Sequence, residues 1–453
     1  MPYIPTTSVL TANSIGIINT IIDNTPELGG IPHANETSES LRMTGEAICA
    51  YQPRMNAFIN ALVNRIGMVV ITSKMYNNPW AAYKKGMLNF GETIEEIFVD
   101  ISDAYPFDPA TSQQYLFKRM FPNVKSAFHA VNLKTFYPVT ISEQELRFAF
   151  TSINGVYDLI GKITNAIYTA ANYDEFIMMK YAIAMRALEG TVPTRTISEI
   201  TDSASANAAV KAVKKITGKF KFMSQEYNIA GVNNFCESDN LYCIMTTDAS
   251  ADIDVDSLAK AYNLKYVDFV GRQGLVDSFA FNSGEIKRLD MLLADDPTYK
   301  TINAGDNEAL STIGILVIDK DFIQVYDVLN QFTEQYNSAG LSWNYFYHVW
   351  RVYSTSPFAN AVIFTTATPA VTAVTVNGPE TGTAGETYQF TASVSTTNFA
   401  NKGVIWSIAP TNNVSIDQFG RVTFNEGATG AYTVKAVSAV NATKSGTKKI
   451  TIS

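Results

Sequence analysis

Residues 152–188 read SINGVYDLIGKITNAIYTAANYDEFIMMKYAIAMRAL and form the longest periodic segment of the chain. Their apolar side chains recur at steps of three and four, the spacing of one face of an α-helix. This face comprises Val156, Ile160, Ile163, Ile167, Ala170, Ile177, Tyr181, Ala184 and Leu188. The pattern predicts a single helix that ends at Gly190. At ~1.5 Å per residue, such a helix would be on the order of 50 Å long.

Two strands are predicted ahead of this helix, at residues 94–101 and 133–140. The residues between them are polar and contain proline, so we expect a long hairpin-like arm rather than a compact layer. Ser142 and Glu145 have the spacing of a capping box, which predicts a short helix just before the long one.

Short strands alternate with helical segments after the long helix, which predicts a mixed α/β unit. The predicted strands are residues 241–246, 313–318 and 322–328, and the clearest helix is 255–262. The aromatic-rich segment 343–353 and the segment 360–365 then predict two paired strands that return to the body.

The composition changes sharply at residues 366–369, after which Thr, Val, Ser, Gly and Asn dominate and Met, Cys and His disappear. This change marks a domain boundary. Seven short strands follow, at residues 371–376, 387–394, 403–408, 414–416, 421–424, 432–439 and 448–452. They predict a β-sandwich. We expect this unit to be independent of the rest, so that truncation after Ala367 would leave the body intact.

The charge balance argues against a dedicated nucleic-acid binder. The chain has 453 residues and a net charge of −8; the part from Pro369 onward is near +2 and the remainder near −10. Phosphate neutralisation needs concentrated Lys and Arg, so contact with DNA should be weak and local. Only three cysteines occur, and neither a secretory signal nor an apolar run of ~20 residues is visible. We therefore expect synthesis in a reducing cytoplasm and no membrane insertion.

No pattern of catalytic, cofactor-binding or metal-ligating residues stands out. His33, His129 and His348 are far apart in sequence, and Cys236 and Cys243 fit buried thiols better than ligands. Four aspartates lie close together at Asp248, Asp252, Asp254 and Asp256. The segment lacks the glycine and the glutamate of a calcium loop, so we interpret it as a solvated turn that opens the helix at residue 255. We expect no enzymatic activity and no cofactor.

Two groups of charged residues are candidates for contacts. Glu95 and Glu96 are adjacent on a predicted strand and should point to opposite faces, so one should be exposed and the other should have a cross-strand or cross-subunit partner. The second group is basic and comprises Lys211, Lys214, Lys215, Lys219 and Lys221. It fits a solvated helix face, or a contact with DNA or an acidic partner, and the sequence leaves both open.

Several short motifs resemble those of one protein family in order and spacing. They are Asn78-Pro79-Trp80, Lys84-Lys85-Gly86, Phe90-Gly91-Glu92-Thr93-Ile94-Glu95-Glu96-Ile97, Phe107-Asp108-Pro109, Phe117-Lys118-Arg119, Tyr173-Asp174-Glu175-Phe176 and Ser354-Thr355-Ser356-Pro357-Phe358-Ala359-Asn360. Together they resemble the major capsid proteins of phi-twenty-nine-like podoviruses. The resemblance implies an α+β chain with the Hong Kong ninety-seven capsid fold.

This resemblance implies an N-terminal arm (1–74), an extended-loop region (75–150), a peripheral domain with a spine helix (151–219), an axial domain (220–342) and peripheral return strands (343–367). Glu95, Glu96, Lys118 and Arg119 become candidate inter-subunit contacts. The implied partners are further copies of the chain in pentamers and hexamers, a scaffolding protein, a portal, and packaged double-stranded DNA on the inner surface. The implied location is the virion capsid.

The C-terminal region (368–453) resembles a bacterial immunoglobulin-like group-two domain through Val404-Ile405-Trp406, Val414-Ser415-Ile416, Gly420-Arg421-Val422 and Gly430-Ala431-Tyr432-Thr433-Val434. Trp406 is the expected core aromatic. The domain should lie on the outer surface, where a host-surface ligand is a candidate partner. It also leaves an alternative open, a bacterial surface adhesin or binding module; that alternative predicts a signal or anchor, and none is visible.

Overall fold

A computed structural model describes residues 7–35, 37–69, 76–89, 92–102, 104–105, 107, 124–144, 165–258 and 272–453. The helices are α1 (Thr7–Asn24), α2 (Ser38–Cys49), α3 (Gln52–Val69), α4 (Ala170–Leu188), α5 (Ser203–Phe220), α6 (Thr247–Leu258), α7 (Ser283–Leu292) and α8 (Ala304–Ser311).

The strands of the body are β1 (Gly86–Met87), β2 (Ile94–Val99), β3 (Val124–His129), β4 (Leu133–Ser142), β5 (Thr194–Thr196), β6 (Leu241–Thr246), β7 (Arg272–Val276), β8 (Ile313–Asp319), β9 (Ile323–Asn337), β10 (Ser342–Thr355) and β11 (Ala361–Thr365). The C-terminal strands are β12 (Ala370–Asn377), β13 (Thr381–Gly382), β14 (Thr387–Gln389), β15 (Thr391–Thr397), β16 (Val404–Ala409), β17 (Val414–Ile416), β18 (Arg421–Phe424), β19 (Gly430–Ser438) and β20 (Ser445–Ile452).

The described part of the long predicted helix, residues 165–188, is helical. A π-helical turn at Asn165–Thr169 leads into α4, which ends at Leu188. Gly190 follows with φ +67°, a left-handed conformation that glycine adopts without steric cost, so the predicted end is confirmed. The predicted part at 152–164 lies outside the described residues. The short helix expected after Ser142 is described only at Glu143 and Gln144, which are helical.

A five-stranded sheet in the order β5-β11-β8-β6-β7 forms the centre of the α/β unit. Its side chains alternate between two cores. On β8, Ile315 and Val317 pack with α5, whereas Leu316 and Ile318 join the main core, which also contains α4, α7 and α8. Helices therefore cover both faces of this sheet, and α4 lies inside the largest core rather than on the surface.

A second, four-stranded sheet has the order β1-β9-β10-β4. One face packs against the N-terminal helices, where Trp343, Tyr345 and Ile141 are buried with residues of α1, α2 and α3. Between Ile15 and Ile59, the region expected to be an N-terminal arm thus packs helices against this sheet.

Three predicted pairings or boundaries are wrong. Strand β2 pairs with β3, and the segment expected to pair with it, β4, pairs instead with β10. Strands β10 and β11 do not pair with each other but belong to different sheets. Helix α6 begins at Thr247, so the aspartates expected in a turn lie within a helix. In the two strand cases, a partner distant in sequence decided between locally equivalent patterns.

The C-terminal strands form a β-structure with its own buried core around Phe390, Phe424, Tyr432 and Val434. Trp406, the expected core aromatic, packs at the margin of this core and is partly exposed, whereas Phe390 is fully buried. The predicted run 387–394 is interrupted at Phe390, which separates β14 from β15. The C-terminal strands thus have a core of their own, but Phe399, in the loop after β15, belongs to the main core. The independence of the unit from the body stays a prediction.

Candidate assembly surfaces

The β2–β3 hairpin presents an apolar face to solvent. Alternation along the two strands places Ile97, Val99, Val124 and Phe128 on one side, each more than half exposed. Soluble proteins scatter single exposed apolar residues over their surfaces, but four neighbours on one sheet face indicate a contact site.

The opposite face of the hairpin packs on the same chain. The rings of Phe98 and Phe358 stack at a centroid distance of 5.6 Å. Lys125 Nζ donates to the carbonyl oxygen of Ala230 at 2.8 Å, and Asn233 Nδ2 donates to Asp100 Oδ1 at 3.0 Å. The hairpin is therefore held on one side by the α/β unit and is uncovered on the other.

The root of the hairpin contains a buried histidine. Nδ1 of His129 lies 2.8 Å from Oγ of Ser354 on β10. Nε2 lies 3.2 Å from Oε2 of Glu96, although these two atoms are not aligned for a hydrogen bond. Glu95 is exposed, so the predicted division of the pair between an outer and an inner face is confirmed. Lys118 and Arg119 lie outside the described residues.

A second uncovered surface is the outer face of the four-stranded sheet. Phe136, Phe346, His348 and Trp350 lie on the side opposite the N-terminal helices, and Phe136 is more than half exposed. The rings of Phe136 and Phe346 are 5.8 Å apart, and Lys134 Nζ lies 4.9 Å above the Trp350 ring. An aromatic surface with a cation at its edge combines apolar area with a polar rim, as protein interfaces do.

Four charged side chains form a buried network beneath this sheet. Lys84 Nζ lies 2.9 Å from Glu175 and 2.5 Å from Asp327, while the Arg351 guanidinium lies 2.9 Å and 2.6 Å from the same two carboxylates. Asn78 Nδ2 also donates to Glu175 Oε1, at 2.6 Å. The network joins α4, β9 and β10 to the segment before β1.

The cations of this network favour the charged state of the Asp327 carboxyl group. Burial raises the pKa of Asp327, but attraction from Arg351 and Lys84 outweighs it and holds the pKa below its usual value. Asn78, Lys84 and Glu175 all come from motifs that carried the family resemblance, but no spacing in the sequence predicts that they meet. Their partners Asp327 and Arg351 are more than 150 residues further along the chain than Glu175.

The five lysines lie along the outer side of α5 and just beyond its end. Ala206, Ala209, Val213, Ile216 and Phe220 bury the other side of the helix. Lys211, Lys214, Lys215, Lys219 and Lys221 are exposed, as the sequence predicted. Helix α6, whose sequence carries four aspartates, packs beside α5, so positive and negative helices are neighbours. Both interpretations of the lysines remain predictions.

The cysteines and histidines show no arrangement for chemistry. Cys236 and Cys243 are buried, and burial raises the pKa of Cys243 to about 12, which keeps the thiol protonated. Among the described residues, no three His, Cys, Asp or Glu side chains cluster as metal ligands would. No helix in the part of the chain that the structure covers has the length and apolar character needed to cross a bilayer.

Comparison with known proteins identifies the class. The major capsid protein of Bacillus phage B103 is 33% identical over 441 residues, which cover 95% of this chain and 91% of that protein. The major capsid protein of Bacillus phage PZA is 34% identical, covering 82% of this chain and 78% of that protein. The chain is therefore a phage capsid protein.

Within that class, the chain belongs to the Phi29-like phage major capsid protein family, whose model matches residues 18–365. It is a component of the phage head shell and is located in the virion capsid. This membership leaves the adhesin alternative without support. The B103 alignment covers 95% of the chain, so unlike the family model it must extend into the C-terminal unit.

Capsid structures of other phages are among the solved structures that match this chain. The capsid structure of Staphylococcus phage Andhra has a TM-score of 0.48 at 14% identity, covering 66% of this chain and 86% of that chain. The head structure of Helicobacter pylori bacteriophage KHP40 has a TM-score of 0.42 at 9% identity, covering 65% and 92%.

Proposed function

We propose that this protein self-assembles into a closed icosahedral shell around double-stranded DNA by laying its β2–β3 hairpin across a neighbouring subunit. The observation that carries the proposal is the uncovered apolar face formed by Ile97, Val99, Val124 and Phe128. Burial of apolar area is worth roughly 25 cal/mol per Å², so leaving this face in water is unfavourable unless a partner covers it.

The aromatic face of the four-stranded sheet is the acceptor that we propose on the neighbouring copy. It offers Phe136, Phe346 and Trp350, and none of these joins the core under the N-terminal helices. Two sheet faces of this kind can pack with interdigitating side chains. Because symmetry repeats each such contact around the shell, a modest pairwise interface suffices for a stable particle.

The other partners follow from family membership. We propose a scaffolding protein and a portal as assembly partners, and weak contacts between the α5 lysines and packaged DNA. The acidic balance of the chain supports only a local DNA contact. We also propose that the C-terminal unit is an immunoglobulin-like sandwich on the outer surface with a host-surface ligand, and that the protein catalyses no reaction.

Replacing Ile97 by aspartate tests the assembly proposal. Ile97 is 62% exposed, so the subunit should fold, but a charge in the proposed interface should prevent closed shells when the variant is co-expressed with its scaffold. Ile405→Asp is the matched control, because Ile405 is also on a strand and is 63% exposed. It should assemble normally. Electron microscopy and sedimentation report the result, and closed shells of Ile97→Asp would contradict the proposal.

A further inference from the structure

The loop between β15 and β16 places an aromatic side chain of the C-terminal unit in the core of the body. Phe399 is 4% exposed and belongs to the same hydrophobic cluster as Ala187 and Val192, rather than to the cluster around Phe390. Its φ of +65° and that of +53° at Asn398 are left-handed, which is unusual for a bulky residue such as Phe. Such a conformation persists when surrounding packing enforces it.

The same loop is in backbone contact with the end of α4. A Cβ added at Gly190 would lie 2.4 Å from the carbonyl oxygen of Ala400, so only glycine allows this approach. Lys402 Nζ donates to the carbonyl oxygen of Leu188 at 3.2 Å. The last carbonyl groups of a helix lack intrahelical partners, and a cation near them is also favoured by the helix dipole.

The connection between the two units is short and hydrogen-bonded. Only residues 366–369 separate β11 from β12. The Thr366 N–H donates to the Thr312 carbonyl oxygen at 3.0 Å, and Asn398 Nδ2 donates to the Thr368 carbonyl oxygen at 3.0 Å. The linker, the loop and the helix end are therefore joined to one another.

We propose that the C-terminal unit is an intramolecular clamp on the end of α4, with Phe399 as its anchor in the main core. The matched family model ends at residue 365, so the clamp is supplied by a part of the chain beyond that model. The proposal does not rest on assembly, because every contact that carries it lies within one subunit.

Hydrogen exchange in the full-length chain tests the clamp. The N–H groups of Gly190 and Thr191 donate to the carbonyl oxygens of Ala187 and Arg186, so they report on the helix end. Phe399→Ala should raise their exchange rates at least tenfold. Phe419→Ala is the matched control, since Phe419 is an aromatic residue of the same unit that is 71% exposed, and it should leave the rates unchanged.

A second variant separates the anchor from the unit that carries it. Phe390→Ala removes the centre of the C-terminal core and should release the same two amides while Phe399 is still present. Unchanged exchange at Gly190 and Thr191 in Phe399→Ala would overturn the proposal, whether or not the C-terminal unit stays folded. If Phe390→Ala unfolds the C-terminal unit and exchange at Gly190 and Thr191 does not change, a folded C-terminal unit is not needed to hold the end of α4.

Discussion

The β2–β3 hairpin and the C-terminal unit are both β-structures added to the α/β body, but the hairpin exposes apolar side chains that the C-terminal unit would bury. The C-terminal unit buries Phe390, Phe424 and Val434 in a core of its own. Among the described residues, the hairpin has two strands and no second layer, so one face lies on the body and Ile97 and Phe128 are left in water. Two strands alone are at best marginally stable in water, whereas several strands around a shared core can be stable. The first therefore depends on its surroundings and the second largely on itself.

The largest expected effect is a loss of stability of the C-terminal unit when its own core is disrupted. Phe390→Ala removes a fully buried ring and should cost about 3 to 5 kcal/mol of that unit's stability. Trp406→Ala should cost less, because Trp406 is partly exposed at the margin of the same core. Thermal or denaturant unfolding followed through the C-terminal strands would check the ranking. Equal losses would show that Trp406 is as central as the sequence suggested.

A smaller effect is expected for hydrogen exchange in the hairpin, which should depend on contact with neighbouring subunits. The amides of β2 should exchange at least a hundredfold more slowly in assembled shells than in the free subunit, which corresponds to about 2.7 kcal/mol. Those of β19, which is paired on both sides within its own unit, should change little. Hydrogen exchange with mass spectrometry on both states gives the comparison. Equal protection of β2 in the two states would mean that the body alone stabilises the hairpin.

The smallest expected effect is a difference in how the stability of the body and that of the C-terminal unit depend on pH. The pKa of Asp327 is lowered in the folded body, so its stabilising contribution is present above the unfolded value of about 3.9 and is lost as pH falls below it. The body should therefore lose stability as pH falls below about 4, more than the C-terminal unit, whose core contains no such network. Asp327→Asn should reduce this acid dependence. An unaltered acid profile in that variant would exclude Asp327 as its source.

Local signals in the sequence predicted local features well. Gly190 ends the long helix because the left-handed turn needs glycine. The alternation on β2 correctly placed Glu95 and Glu96 on different faces. Most of the nine C-terminal strands were predicted because turn residues separate them, but β13 was missed and β14 and β15 were predicted as one strand. All of these depend on neighbours within a few residues.

Features that depend on distant residues were missed. The alternating pattern of β4 fits a hairpin partner as well as its true partner β10, which is about 200 residues away. The network of Lys84, Glu175 and Arg351 joins three distant segments of the chain, and no spacing rule connects them. Nothing in the sequence around Phe399 distinguishes it from any aromatic residue in a turn. Only the folded chain shows that its ring completes another unit's core.

The short, hydrogen-bonded connection at residues 366–369 has a consequence beyond one subunit. A tether of this kind gives the C-terminal unit a defined orientation on its own body, and a shell repeats that body many times. The units would then form a regular array rather than a set of loosely attached domains. Any surface that met the array could engage many copies at once, so even a weak individual contact would give strong avidity.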